Sequence, residues 1–162
     1  RGSVIPVFKS QIESKSNFLT ITNPNMSRFI ITLDQGIDFV MKSFLRMKGG
    51  EIFIPKLPSI TVKEIASIMA PSLKHKIIGT RPGEKMHEVM CPSDDSLNTI
   101  EFKDFFIIKP SLQFAHIFDY SKTALKEKGK KVKLGFEYCS NNTEKILAKN
   151  FKKMLIEFYE NN

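Results

Sequence analysis

Between Val4 and Ile12 the apolar positions Ile5, Phe8 and Ile12 recur at helical spacing. Pro6 falls where a first helical turn needs no N–H, so the segment predicts a short helix. Phe18-Leu19-Thr20-Ile21-Thr22 alternates as a strand and breaks at Asn23-Pro24-Asn25. A loop carrying Arg28 follows, and Phe29-Ile30-Ile31 is a second brief extended run. Thr32 and Gln35 stand at capping-box spacing and open a helix with Ile37, Val40, Met41, Phe44 and Leu45 on one face, stopping at Gly49-Gly50. Glu51-Ile52-Phe53-Ile54-Pro55 predicts a strand. Thr61 and Glu64 form a second capping box, opening a helix with Val62, Ile65, Ala66 and Met69 inward and Pro71 at its end. Lys76-Ile77-Ile78 is the next strand. Beyond it, Met86 to Met90 predicts a short strand or helical turn, Pro92 to Ser96 a loop, and Phe102 to Ile108 an extended segment ending at Pro110. Residues 111–138 are weakly patterned. Glu144 to Tyr159 predicts an amphipathic helix with Ile146, Leu147, Phe151, Met154, Leu155 and Phe158 on its apolar side.

Strands alternating with helices place the chain in the α/β class. No stretch supplies a complete nucleotide-binding half, however. There is no GxGxxG or GxxGxxG, and none of Tyr120, Tyr138 or Tyr159 is followed by Lys at the fourth position. A length of 162 residues with 41% apolar content fits one compact domain or part of a larger one. No apolar run approaches the roughly 18 residues that span a bilayer, so no membrane partner is expected. Arg1-Gly2-Ser3 runs straight into a patterned segment and reads as native sequence caught mid-chain. Cys91 and Cys139 lie in no CxxC or Cys/His spacing, which makes a reduced, cytoplasmic compartment the expectation.

The net charge of +8 raises the question of a polyanionic partner. Its excess lies in Lys122, Lys126, Lys128, Lys130, Lys131 and Lys133, with no aromatic residues interleaved to stack bases. That run reads as a solvated loop or turn, and no nucleic-acid partner is expected from it. A small polyanion is the better use for the arginines.

The chemistry concentrates in Ile77-Ile78-Gly79-Thr80-Arg81-Pro82-Gly83-Glu84-Lys85-Met86-His87-Glu88. Here a buried strand ends and presents a planar cation and a carboxylate three positions apart, with Pro82 and Gly83 fixing a turn between them. Arg81 can offer a two-point fork to a diphosphate, and Glu84 can accept from a vicinal diol such as a ribose. The plain alternative is a surface turn with an Arg81–Glu84 ion pair. His87 and Glu88 read as structural and not as an acid/base pair, and Asp94-Asp95 as a solvated loop. Phe105, Phe106 and the methionine-bearing helix face read as core.

Four stretches together carry a resemblance: Arg1 to Phe8, Leu19-Thr20-Ile21-Thr22 through Met26-Ser27-Arg28-Phe29, Gly49 to Lys56, and Ile77 to Glu88. In order and spacing they resemble the C-terminal half of inverting UDP-N-acetylglucosamine 4,6-dehydratases, extended short-chain dehydrogenases of polysaccharide and pseudaminic acid biosynthesis. The likeness runs from Arg1 to about Pro110 and more loosely to Tyr138. It implies that an N-terminal Rossmann half, absent from this chain, holds NADP and supplies the Tyr/Lys pair that oxidises C4 of the sugar. Water then leaves across C5 and C6, and hydride returns to C6 with inversion at C5. Residues 1–110 would form the UDP-sugar-binding portion, and 111–162 a C-terminal extension with a basic loop and tail helix. Carried over position by position, Arg1 corresponds to a cofactor-contacting position, and Val4 and Thr22 to substrate-contacting ones. Arg28 and Arg81 correspond to diphosphate ligands and Glu84 to the ribose acceptor. No catalytic residue or metal ligand is implied here, so the chain alone is expected to be inactive, and a full-length enzyme to be a homo-oligomer. A capsular UDP-sugar epimerase and a basic nucleic-acid-binding module are the alternatives.

Overall fold

The computed structural model describes residues 4–111 and 118–160. They form a mixed α/β arrangement that divides into two compact units. One comprises residues 1–30, 58–88 and 143–162, the other 31–57 and 89–142.

In the first unit, helix α1 (Val4–Glu13) packs on strand β1 (Phe18–Ile21). Alternation along β1 buries Leu19 and Ile21 completely and leaves Thr20 half-buried. The Gln11 side chain closes the α1–β1 junction, its Oε1 accepting the Thr20 N–H at 3.0 Å and its Nε2 donating to Thr20 Oγ1 at 2.6 Å. Strand β2 (Ser27–Phe29) pairs antiparallel with β4 (Ser59–Thr61). Thr61 also caps helix α3 (Val62–Met69), where the expected capping box with Glu64 is formed in both directions. Strand β5 (Lys74–Ile77) lies parallel to β1, and the Ile78 N–H continues the pairing to Ile21 O at 2.9 Å. Phe8, Met26, Ile60 and Ile65, each almost fully buried, form the centre of the core, with Phe151 and Leu155 of helix α4 (Ala148–Glu160) packed in.

Two expectations change here. Arg28 sits in the middle of strand β2 and not on a loop, because its neighbours Ser27 and Phe29 pair with Thr61 and Ser59. The tail helix begins at Ala148 and not at Glu144, because main-chain bonds of Ser59 to Glu144 and Ile146 draw those residues alongside β4. Hydrogen-bond demand at the open edge of β4 outweighs the helical spacing of Ile146 and Leu147. The side chain of Phe158 lies outside the described residues.

The second unit is built on a four-stranded antiparallel sheet in the order β3 (Ile52–Pro55), β8 (Phe105–Ile108), β7 (Thr99–Glu101), β9 (Lys130–Lys131). Phe102 and Phe105 stack at 4.7 Å beside Ile100, Ile107 and Tyr120. Gly129 passes so close to Ile100 and Phe102 that a Cβ there would lie 2.7–2.8 Å from their side chains. The lysine run expected to be a solvated turn therefore places Lys130 and Lys131 on a sheet edge, where charge discourages further strand pairing. Strand β6 (Val89–Cys91) pairs with β10 (Tyr138–Cys139), and burial pushes the Cys91 thiol up, opposed in part by its contact with Thr99 Oγ1. A 3₁₀ turn over Ser93–Asn98 takes the place of the expected Pro92–Ser96 loop.

Helix α2 (Leu33–Arg46) completes this unit, opened by the expected capping box of Thr32 and Gln35. Phe39 packs toward the aromatic cluster, and Arg46 lies over the Phe105 ring while forking onto Glu127 at 2.9 Å. The face expected to be core is not. Ile37, Val40, Met41, Phe44 and Leu45 are all more than half exposed. Phe105 and Phe106 are buried as expected.

Candidate functional site

Within the first unit, α1, β1, β2, α3 and the segment after β5 enclose a cavity of about 410 Å³. Its apolar wall comes from Phe8, Met26, Val62 and Ile65, all buried, so a ligand entering would meet a fixed surface. Its charged groups are Arg28, Arg81, Glu84 and Glu88. Val4 and Thr22 also line it, so five residues singled out from sequence, separated by up to eighty positions, face one space. Arg1 lies outside the described residues.

The Arg81–Glu84 turn is built as its residues dictate. Glu84 N–H donates to Arg81 O at 3.1 Å across Pro82 and Gly83, and Gly83 has φ +84°. Proline at the second and glycine at the third position of such a turn need no strain, whereas a side chain at Gly83 would. The Glu84 carboxylate then accepts the Arg81 N–H at 2.9 Å. No ion pair joins the Arg81 and Glu84 side chains among the described residues, so the plain reading of this motif as a surface salt bridge fails on geometry. Glu84 stiffens the main chain and leaves the Arg81 side chain in solvent.

Arg28 is held differently. Its Nη1 donates to Ser27 O at 2.7 Å and Met86 O at 3.3 Å, its Nη2 faces Met26 Sδ at 3.8 Å, and its Nε lies 4.0 Å from Glu88 Oε1. The Arg28 side chain is only 27% exposed, with Nη1, Nη2 and Nε each facing a protein group at the cavity. Thr22 Oγ1 contacts the same Met26 sulfur at 3.2 Å.

Residues 86–88 run alongside β2. Ser27 N–H donates to Met86 O at 3.0 Å, Ser27 Oγ and His87 Nδ1 are 2.8 Å apart, and Phe29 N–H donates to Glu88 Oε2 at 2.8 Å. His87 is therefore engaged with a buried serine, in keeping with a structural role. Glu88 is the charged cavity residue to which sequence reasoning gave no binding part. Its signal was adjacency to the Arg81 motif, but its partners lie some sixty positions earlier, and no local pattern marks that pairing.

Residues 1–110 match the family model described as polysaccharide biosynthesis protein. Over 143 residues the chain is 52% identical to a UDP-N-acetylglucosamine 4,6-dehydratase (inverting) of Campylobacter jejuni subsp. jejuni serotype O:2, covering 88% of this chain and 43% of that protein. A UDP-glucose 4-epimerase of Rickettsia akari is 34% identical over 160 residues, covering 96% of this chain and 46% of its own length. The fold is similar to the X-ray structure of Pen from Bacillus thuringiensis, with a TM-score of 0.74 and 32% identity, over 97% of this chain and 45% of that one. The chain thus spans less than half the length of these relatives. Because 143 aligned residues exceed the first 110, the likeness extends past Pro110.

Proposed function

Because the chain belongs to the polysaccharide biosynthesis protein family, we propose that it is the UDP-sugar-binding part of an NADP-dependent, inverting UDP-N-acetylglucosamine 4,6-dehydratase, a lyase of surface-polysaccharide or pseudaminic acid biosynthesis. The observation that carries this reading is the convergence of Arg28, Arg81 and Glu84 on one cavity with an apolar wall. Arg28 and Arg81 would share the diphosphate in charge-assisted bonds worth roughly 1.5–3 kcal/mol each. Glu84, with one oxygen committed to the Arg81 N–H, keeps a second to accept from a ribose hydroxyl. Val4 and Thr22 would line the nucleotide and sugar. Residues 1–110 would form the binding portion and 111–162 an extension.

The residues described here do not fit NADP. They offer no Gly-rich turn at a helix N-terminus, and Arg1, the one expected contact, lies outside them. Cofactor binding and the oxidation of C4 are therefore assigned to parts of the parent protein that this chain does not span, acting in a cytoplasmic homo-oligomer. Given UDP-N-acetylglucosamine and NADP, the chain alone should form no 4-keto product, and turnover by it would contradict this assignment.

A UDP-sugar epimerase is the second reading, supported by the 34% identity to the Rickettsia akari protein. Mass analysis of the product made by the full-length protein decides between them. Loss of one water from the sugar supports the dehydratase, and an unchanged mass with inverted C4 supports the epimerase.

A further inference from the structure

Arg28 and Arg81 can act on one diphosphate only if β2 and the turn after β5 keep a fixed separation. The described contacts that hold them are those of residues 86–88 with β2. Ser27 N–H to Met86 O and Ser27 Oγ with His87 Nδ1 are main-chain or hydroxyl contacts of a kind that any strand edge makes, and Arg28 Nη1 to Met86 O adds a bond to a main-chain carbonyl. The contact of Glu88 is different in chemistry. The Glu88 side chain is 43% exposed and lines the cavity, yet its two oxygens point to two functions. Oε2 takes the Phe29 N–H at 2.8 Å, which fixes the strand. Oε1 faces Arg28 Nε at 4.0 Å, too long for a hydrogen bond but close enough to orient a cation.

Nη1 is committed to the carbonyls of Ser27 and Met86, Nε is turned toward Glu88, and Nη2 lies 3.8 Å from Met26 Sδ, a weak acceptor that engages one of its two N–H bonds. We propose that Glu88 is a positioning residue that sets the orientation of Arg28 in the cavity, so that the Nη2 N–H not facing Met26 is presented to a ligand phosphate. The proposal rests on the diphosphate-binding reading above. It assigns Glu88 no contact with the reacting atoms.

Glu88→Gln separates the two functions. An amide oxygen still accepts the Phe29 N–H, but the amide nitrogen then faces Arg28 Nε, donor against donor. The test titrates UDP and uridine into the full-length protein and its Glu88→Gln, Arg28→Ala and doubly substituted variants, with thermal midpoints recorded alongside. Uridine lacks phosphate, so it reports the integrity of the site without Arg28. Glu88→Gln is expected to weaken UDP about five- to tenfold, leave uridine within about twofold, and cost nothing further once Arg28 is alanine. Equal losses for UDP and uridine would mean a merely structural role and overturn the proposal. So would unchanged or tighter UDP binding, the latter showing that Glu88 opposes the ligand's charge. Additive losses in the double variant would also overturn it. Unchanged UDP affinity in Arg28→Ala would instead overturn the clamp reading beneath the proposal, a result that is distinct because it does not involve Glu88. Should Glu88→Gln fail to fold, Glu88→Asp keeps the charge on a shorter arm, and a selective loss of UDP of about two- to fivefold is expected from it.

Discussion

Helices α2 and α3 begin alike and end up in opposite circumstances. Each is opened by a threonine capping box, and each carries an apolar stripe at helical spacing. Helix α3 buries Val62, Ile65 and Ala66, and Val62 and Ile65 form part of the cavity wall. Helix α2 buries no residue fully, and Leu33, Phe44 and Leu45 are 79%, 64% and 65% exposed. Capping and periodicity therefore determine that a helix forms and which face is apolar, but not whether this chain supplies the cover. Helix α3 is covered on its apolar face within the cavity unit, whereas the α2 stripe is bare among the described residues.

The comparison breaks most readily on paired truncations. Ile65→Ala removes a fully buried side chain and should cost about 2–5 kcal/mol in urea denaturation. Phe44→Ala should stay within about 0.5 kcal/mol in this chain and become costly only in the full-length protein. The bare stripe should also make the native chain bind a hydrophobic dye, and Phe44→Glu with Leu45→Lys should abolish that signal. A dye-silent native chain would contradict the reading of α2.

The caps give a smaller contrast. Thr61→Ala should lower global stability by about 1 kcal/mol, since α3 is part of the core. Thr32→Ala should appear mainly as faster amide exchange in the first turn of α2, with a lesser change in midpoint. Equal shifts in midpoint would mean that α2 is as firmly integrated as α3.

The smallest effect concerns pH and the root of α2. The Arg46 fork, with help from Thr123 and against some desolvation, holds the Glu127 carboxyl below its ordinary 4.5. The folded chain then binds this proton less readily than the unfolded one. The contribution is full above about pH 4.5 and is lost as pH falls through the lowered folded value. With the carboxylate side chain 37% exposed, solvent screening limits it to below about 1 kcal/mol. Glu127→Gln should flatten the acid limb of a stability–pH profile by that amount, and an unchanged limb would remove Glu127 from the account.

How far the sequence could be read follows from what each feature depends on. The caps of α2 and α3 and the Pro82-Gly83 turn are set by residues within four positions of one another, and these were legible. The five cavity residues were found from the family resemblance and the Arg81 motif, not from local pattern. Strands β7 and β9 escaped because Thr99–Glu101 and Lys130–Lys131 are too short to show a period, and pairing alone makes them strands. Arg28 read as a loop residue because its pairing with Ile60 lies over thirty positions away. The α2 stripe read as core because amphipathicity carries no record of its cover.

The central claim is that Arg81 grips a diphosphate and is not merely part of a turn. Titrating UDP into the full-length protein and its Arg81→Ala variant by calorimetry, with the thermal midpoint of each, tests it most directly. The account predicts a loss of about 1.5–3 kcal/mol in binding with little change in midpoint, because the Arg81 side chain is exposed while its main chain closes the turn. Unchanged UDP affinity with a lowered midpoint would contradict it and reduce the motif to a structural turn.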